Sequence, residues 1–135
     1  DTESKIIFMG DTLGLIYPHG DFVQPNLPPP DFNKDLLFKT LEDISKLELN
    51  SIAIAHFGIH NKPYELIDSS ISNIEKWLDF TKNINDLSDE EAAKKLAFWV
   101  ENNYQSLNID TETIKNYIDN SNFQMQVTGI RNYFK

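Results

Sequence analysis

The chain contains no cysteine. This excludes a disulfide scaffold, a thiol nucleophile and any thiolate metal site, and it suits a reducing compartment, taken here as the cytoplasm. Basic residues are also few: 12 Lys and Arg stand against 21 Asp and Glu, a formal net charge of −9. Binding a phosphate backbone needs clustered cations, and these are scattered, so nucleic acid is not an expected partner and neither is an anionic membrane. No apolar run approaches the roughly 20 residues needed to span a bilayer. No leader segment is recognisable, although the chain opens on Asp1 and not on Met. Gly and Pro are scarce, and most of them fall between residues 10 and 33.

What is present is a globular core. The 135 residues are 40% hydrophobic and include nine Phe, five Tyr and two Trp, enough to bury a core and too much for a disordered tail. The pattern divides into two parts. In the first, Lys5-Ile6-Ile7-Phe8-Met9 is a short apolar run stopped by Gly10, a buried strand ending in a tight turn. The stretch Gln24-Pro25-Asn26-Leu27-Pro28-Pro29-Pro30-Asp31 excludes helix and central strand, because Pro lacks the amide hydrogen and restricts its predecessor. Residues 12–32 are therefore expected as a long ordered loop, with Phe22, Val23, Leu27 and Phe32 interleaved. Asp31 or Asn33 caps a helix over 34–48, whose apolar face is Leu37, Leu41, Ile44 and Leu47. Ser51-Ile52-Ala53-Ile54-Ala55 is a second strand. Both strands read as buried on both faces.

The second part reads as helix throughout. Pro63 opens a helix carrying Ile67, Ile71, Ile74 and Leu78. Ser88-Asp89-Glu90-Glu91 is a capping box ahead of Ala92, Leu96, Trp99 and Val100. Asp110 caps a helix bearing Ile114, Tyr117 and Ile118, and residues 123–134 place Phe123, Val127, Ile130 and Phe134 on one face.

The chemistry concentrates where the strands end. Asp11 follows Gly10 and the first strand; His56 follows the second. In α/β sheets ligands bind beyond the carboxyl ends of strands. A carboxylate has two oxygens and can bridge two cations, and neutral imidazole ligates zinc, iron or manganese. Spacing alone better suits a turn-capping Asp and a hydrogen-bonded loop His. The remaining histidines are His19, a loop-surface residue, and His60. His60 lies four residues past His56 but in a loop containing Gly58 and Pro63, so the pair is not a helical two-His motif.

Phe8-Met9-Gly10-Asp11-Thr12-Leu13-Gly14 and Ile54-Ala55-His56-Phe57-Gly58 resemble two segments of the metallo-β-lactamase-fold hydrolases, the strand-Gly-Asp segment and the last metal-binding strand. Tyr17-Pro18, the Pro-rich loop and the following helix resemble one subgroup of that family, and the similarity covers roughly residues 1–80. The resemblance implies an α/β fold: the C-terminal half of a four-layer αββα sandwich over 1–80, with a helical C-terminal appendage over 81–135 packed on it. It implies a hydrolase with two divalent metal ions, zinc or else iron or manganese, that supply an activated hydroxide to an ester, thioester, lactone or related bond. Asp11 would bridge the metals and orient the hydroxide as the catalytic residue, and His56 would complete one metal's ligands. Tyr17, Phe22 and His60 would line the pocket of a small-molecule substrate.

The sequence departs from that family in one large respect. Its His-x-His-x-Asp-His segment has no counterpart among the three histidines here, and a divalent site needs at least three protein ligands. The chain is thus either a remnant that has lost catalysis or, as expected here, one half of the fold whose partner is the N-terminal half, supplying the other ligands and covering the sheet; it would be active only with that half, and would otherwise be free to form a homo-oligomer. The alternative is a non-catalytic helical module for protein interaction or oligomerisation, since residues 81–135 hold no chemical constellation.

Overall fold

A computed structural model describes residues 1–16, 23–56, 58–107 and 109–135. The described residues have mixed α/β content, in the order β1 (Ile6–Gly10), α1 (Lys34–Ser45), β2 (Ser51–Ile54), β3 (Ile59–His60), α2 (Pro63–Lys82), α3 (Asp89–Gln105), α4 (Thr111–Asn120) and α5 (Phe123–Tyr133). They form two compact units. One comprises Asp1–Asn26 with Asn33–Glu75, the other Leu27–Phe32 with Lys76–Lys135, so the division falls inside α2. Among the described residues no helix is long and apolar enough to cross a membrane.

The first unit is built on a three-stranded sheet in the order β1-β2-β3. β1 and β2 are parallel, with Ile7 opposite Ile52 and Phe8 opposite Ala53, and the register slips between Phe8 and Gly10. Parallel strands need a crossover, and α1 supplies it. Its N-cap is Asn33, whose side chain accepts from the Leu36 amide (3.1 Å), and not Asp31. The predicted helix runs to residue 48, whereas α1 stops at Ser45. The tertiary reason is Tyr64 of α2. Its hydroxyl donates to the Leu47 carbonyl (2.8 Å) and accepts from the Leu49 amide (3.0 Å), drawing both groups out of a helical ladder.

One face of the sheet is the core. Met9, Ile52 and Ile54 pack with Leu41 of α1, Leu66 and Ile67 of α2, and Leu13, Ile16 and Val23 of the loop. The other face differs from the sequence expectation. β2 is buried along its whole length, but Phe8 is 73% exposed and Ile59 is 59% exposed, flanking Ala53 at 6%. Strand side chains alternate, and in this unit α1 and α2 both pack on the Ile7–Ile52 face. Phe8 points the other way and stays bare.

The long loop is tied down at both of its described ends. Leu15 and Gln24 exchange backbone hydrogen bonds (2.9 and 2.8 Å). Ser70, 1% exposed, donates its hydroxyl to the Leu13 carbonyl (2.6 Å), and the Asn73 amide donates to the Val23 carbonyl (2.8 Å). These two polar side chains of α2 satisfy loop carbonyls that the fold buries, which would otherwise cost about 1–3 kcal/mol each.

In the second unit each helix start is capped as its sequence requires. The Ser88–Glu91 box closes reciprocally, Asp110 accepts from the Thr113 amide (2.9 Å) and Asn122 from the Met125 amide (3.0 Å). Leu96, Val100, Ile114, Tyr117, Val127 and Ile130 are buried, and Trp77 stacks on Phe123 with centroids 5.8 Å apart. Arg131 joins α5 to the start of α3. Its guanidinium donates to Asp89 and to the carbonyls of Ile84 (3.0 Å) and Leu87 (2.9 Å), and Thr128 donates to the same carboxylate (3.0 Å).

The hydrogen bond from Arg131 holds the Asp89 carboxyl below its ordinary value of 3.8, with a smaller push upward from partial burial. A depressed carboxylate contributes stability that is whole above its unfolded value and is lost as pH falls through the folded one. The Asp89 side chain is 41% exposed, so screening reduces that contribution. Replacing Arg131 by Met should cost about 2 kcal/mol in urea denaturation, because it also strands two carbonyls. The difference from wild type should shrink below about pH 4, where Asp89 begins to protonate in the unfolded chain.

Candidate metal centre

The parallel pairing places the ends of β1 and β2 side by side. Gly10 adopts φ +55, a conformation that disfavours side chains, and turns the chain out of the sheet. Its carbonyl accepts from the Ala55 amide (3.0 Å), which ties the two strand ends together at their last residues. Beyond it, the Thr12 amide donates to the Met9 carbonyl and the Gly14 amide to the Asp11 carbonyl, both at 3.0 Å, so Asp11 sits on two successive turns. On the β2 side the Ile54 amide donates to the Gly58 carbonyl (3.2 Å), and Gly58 at φ +93 reverses the chain into β3. His56 lies at the head of that reversal.

Asp11 and His56 meet as a result. His56 Nε2 is 3.8 Å from Asp11 Oδ1, with the side chains 59% and 49% exposed. That separation is too long for a direct hydrogen bond. It lies within the roughly 4.2 Å that two bonds of about 2.1 Å span across one ion. An oxygen and an imidazole nitrogen form a donor set for zinc, iron or manganese. Two donors do not complete a site, and among the described residues no group of three or more His, Asp or Glu is arranged to hold a metal.

The other sequence candidates fall elsewhere. Tyr17, His19 and Phe22 lie outside the described residues. His60 is not in a loop: β3 pairs it with Ile52, near the start of β2, whereas His56 follows the end of that strand. The reason is the Gly58 reversal, which lets Ile59 pair with Ala53 and carries His60 back along the sheet. Its Nε2 is buried and has no hydrogen-bond partner.

Comparison of the chain with protein-family models, with curated proteins and with solved structures finds no match.

The residues that hold this region in shape were not among the sequence candidates. Ser70 lies in the apolar stripe of α2, between Ile67 and Ile74, and a polar residue in such a stripe is the readable signal of a buried hydrogen bond. Gly14 matters for space as well as for φ, which is +108. A Cβ there would overlap the Gln24 carbonyl oxygen, at the point where the two loop arms bridge. A Cβ on Gly10 would meet nothing. Gly10→Ala should therefore cost about 1 kcal/mol, from backbone strain alone. Gly14→Ala should cost about 3 kcal/mol, because the bridge must open. Chemical denaturation of the two variants side by side measures the difference, and equal losses would mean that the bridge does not constrain the loop.

Proposed function

We propose that this chain contributes Asp11 and His56 to the metal centre of a hydrolase of the metallo-β-lactamase type, in the C-terminal half of an αββα sandwich. The observation that carries this reading is their convergence, 3.8 Å apart, on adjacent parallel strand ends. The residue types fit the group: one carboxylate with an oxygen to spare and one imidazole, both open to solvent. Divalent ions held there would polarise a scissile carbonyl or related centre and make hydroxide available near neutral pH.

The chain's own part in that chemistry is positional. The Gly10–Ala55 backbone bond fixes the spacing of the two side chains, and the turns around Asp11 point its carboxylate outward. Asp11 Oδ2 would orient the attacking oxygen, while an imidazole nitrogen of His56 would donate its lone pair to the ion. With only two donors here, the other ligands would come from a second polypeptide segment of the same fold. The exposed Phe8 and Ile59, on either side of Ala53, support this, because an αββα sandwich packs a second sheet on that face. The substrate would be a small ester, thioester, lactone or related molecule.

Zinc affinity tests the reading on the full chain, by competition with a chromophoric chelator. Asp11→Asn and His56→Ala should each weaken binding by more than the roughly tenfold that follows loss of an outer-shell partner. His60→Ala should leave it unchanged. Zinc affinity equal in wild type, Asp11→Asn and His56→Ala would remove the basis for the proposal.

A further inference from the structure

The helical unit holds one short stretch from far earlier in the chain, Leu27–Phe32. Leu27 is fully buried. Its amide donates to Oε1 of Gln126 (2.5 Å), itself 5% exposed. Its carbonyl lies flush on α5 at Gly129, where a Cβ would overlap the Leu27 oxygen and press on Pro28. Five residues further along, the Phe32 ring packs on Tyr133 with centroids 5.5 Å apart. Gln126, Gly129 and Tyr133 are spaced to share one face of α5. That face thus offers a buried acceptor, a bare patch of helix backbone and an aromatic ring.

Two of these features carry a cost that holding a segment accounts for. Glycine inside a helix is about 1 kcal/mol worse than alanine, and a buried amide side chain needs its hydrogen bonds. The recognition reads main chain and one leucine side chain. Proline after that leucine suits it, since proline brings no amide hydrogen to leave unpaired and loses little freedom on docking. Nothing in these contacts requires the segment to be covalently attached.

We propose that the Gln126–Gly129–Tyr133 face of α5 is a seat for Leu-Pro-Pro peptide segments, filled in cis by Leu27–Phe32 and open to a proline-rich segment of a partner protein. This is an interaction site, independent of the Asp11–His56 reading. The tethered segment competes at an effective concentration on the order of millimolar, so the seat is masked, and a partner gains access when the cis segment lifts.

The test uses a fluorescein-labelled peptide with the sequence of residues 24–33 and reads its anisotropy on the full chain. Leu27→Gly removes the leucine side chain of the cis segment and loosens its hold without altering α5, and the peptide should bind this variant at least about tenfold more tightly than wild type, whose seat is open a smaller fraction of the time. The double variant Leu27→Gly with Gly129→Ala should lose that gain. No binding to folded Leu27→Gly, or equal binding to the double variant, overturns the proposal. If far-UV circular dichroism shows that either variant does not fold, wild type decides. Saturating peptide should shift the Gly129 amide resonance and speed hydrogen exchange at Leu27; no change in either also overturns it.

Discussion

The first unit depends on the parallel pairing of β1 with β2. That pairing demands a crossover, which makes α1 necessary and fixes the side on which its apolar face is used. It also brings two strand ends together that are more than 40 residues apart in sequence. The bond between the Ala55 amide and the Gly10 carbonyl closes the arrangement. Asp11 and His56 are neighbours because of it, not because of any attraction between them. Local turns then aim each side chain: Gly10 turns the first strand out of the sheet, and Gly58 sends the second back as β3.

A second constraint recurs in both units. Irregular segments packed against helices bury backbone groups, and each needs a partner. In the first unit Ser70 and Asn73 of α2 serve the carbonyls of Leu13 and Val23. In the second, Gln126 serves the Leu27 amide, and Arg131 serves the Ile84 and Leu87 carbonyls while pairing with Asp89. Polar side chains on helix faces that are otherwise apolar therefore hold the loops in place. Losing one costs more than an average hydrogen bond, because the stranded group stays buried.

The two sides of the sheet divide its roles. The Ile7–Ile52 side is filled by α1, the start of α2 and the loop, and carries the stability of that unit. On the other side Phe8 and Ile59 are exposed, flanking the buried Ala53. At the strand ends Asp11 and His56 stand 3.8 Å apart, clear of that packed side.

Local signals in the sequence determined much of this protein. The stop at Gly10, the box at Ser88–Glu91, the cap at Asp110 and the apolar period of α2 each describe interactions within a few residues, so they survive in any tertiary setting. The two strands and the adjacency of Asp11 and His56 were legible for the same reason, once the strands were taken as neighbours. Tertiary structure alone decided the rest. The Tyr64 hydroxyl ended α1 early, and a reversal at Gly58 made β3 and removed His60 from the strand ends where His56 lies. Placing both helices on one side left Phe8 bare, and Gly129 gave Leu27 a seat on a helix a hundred residues away. These outcomes depend on which distant groups meet. Hydrophobic periodicity says that a face is buried, but not against what.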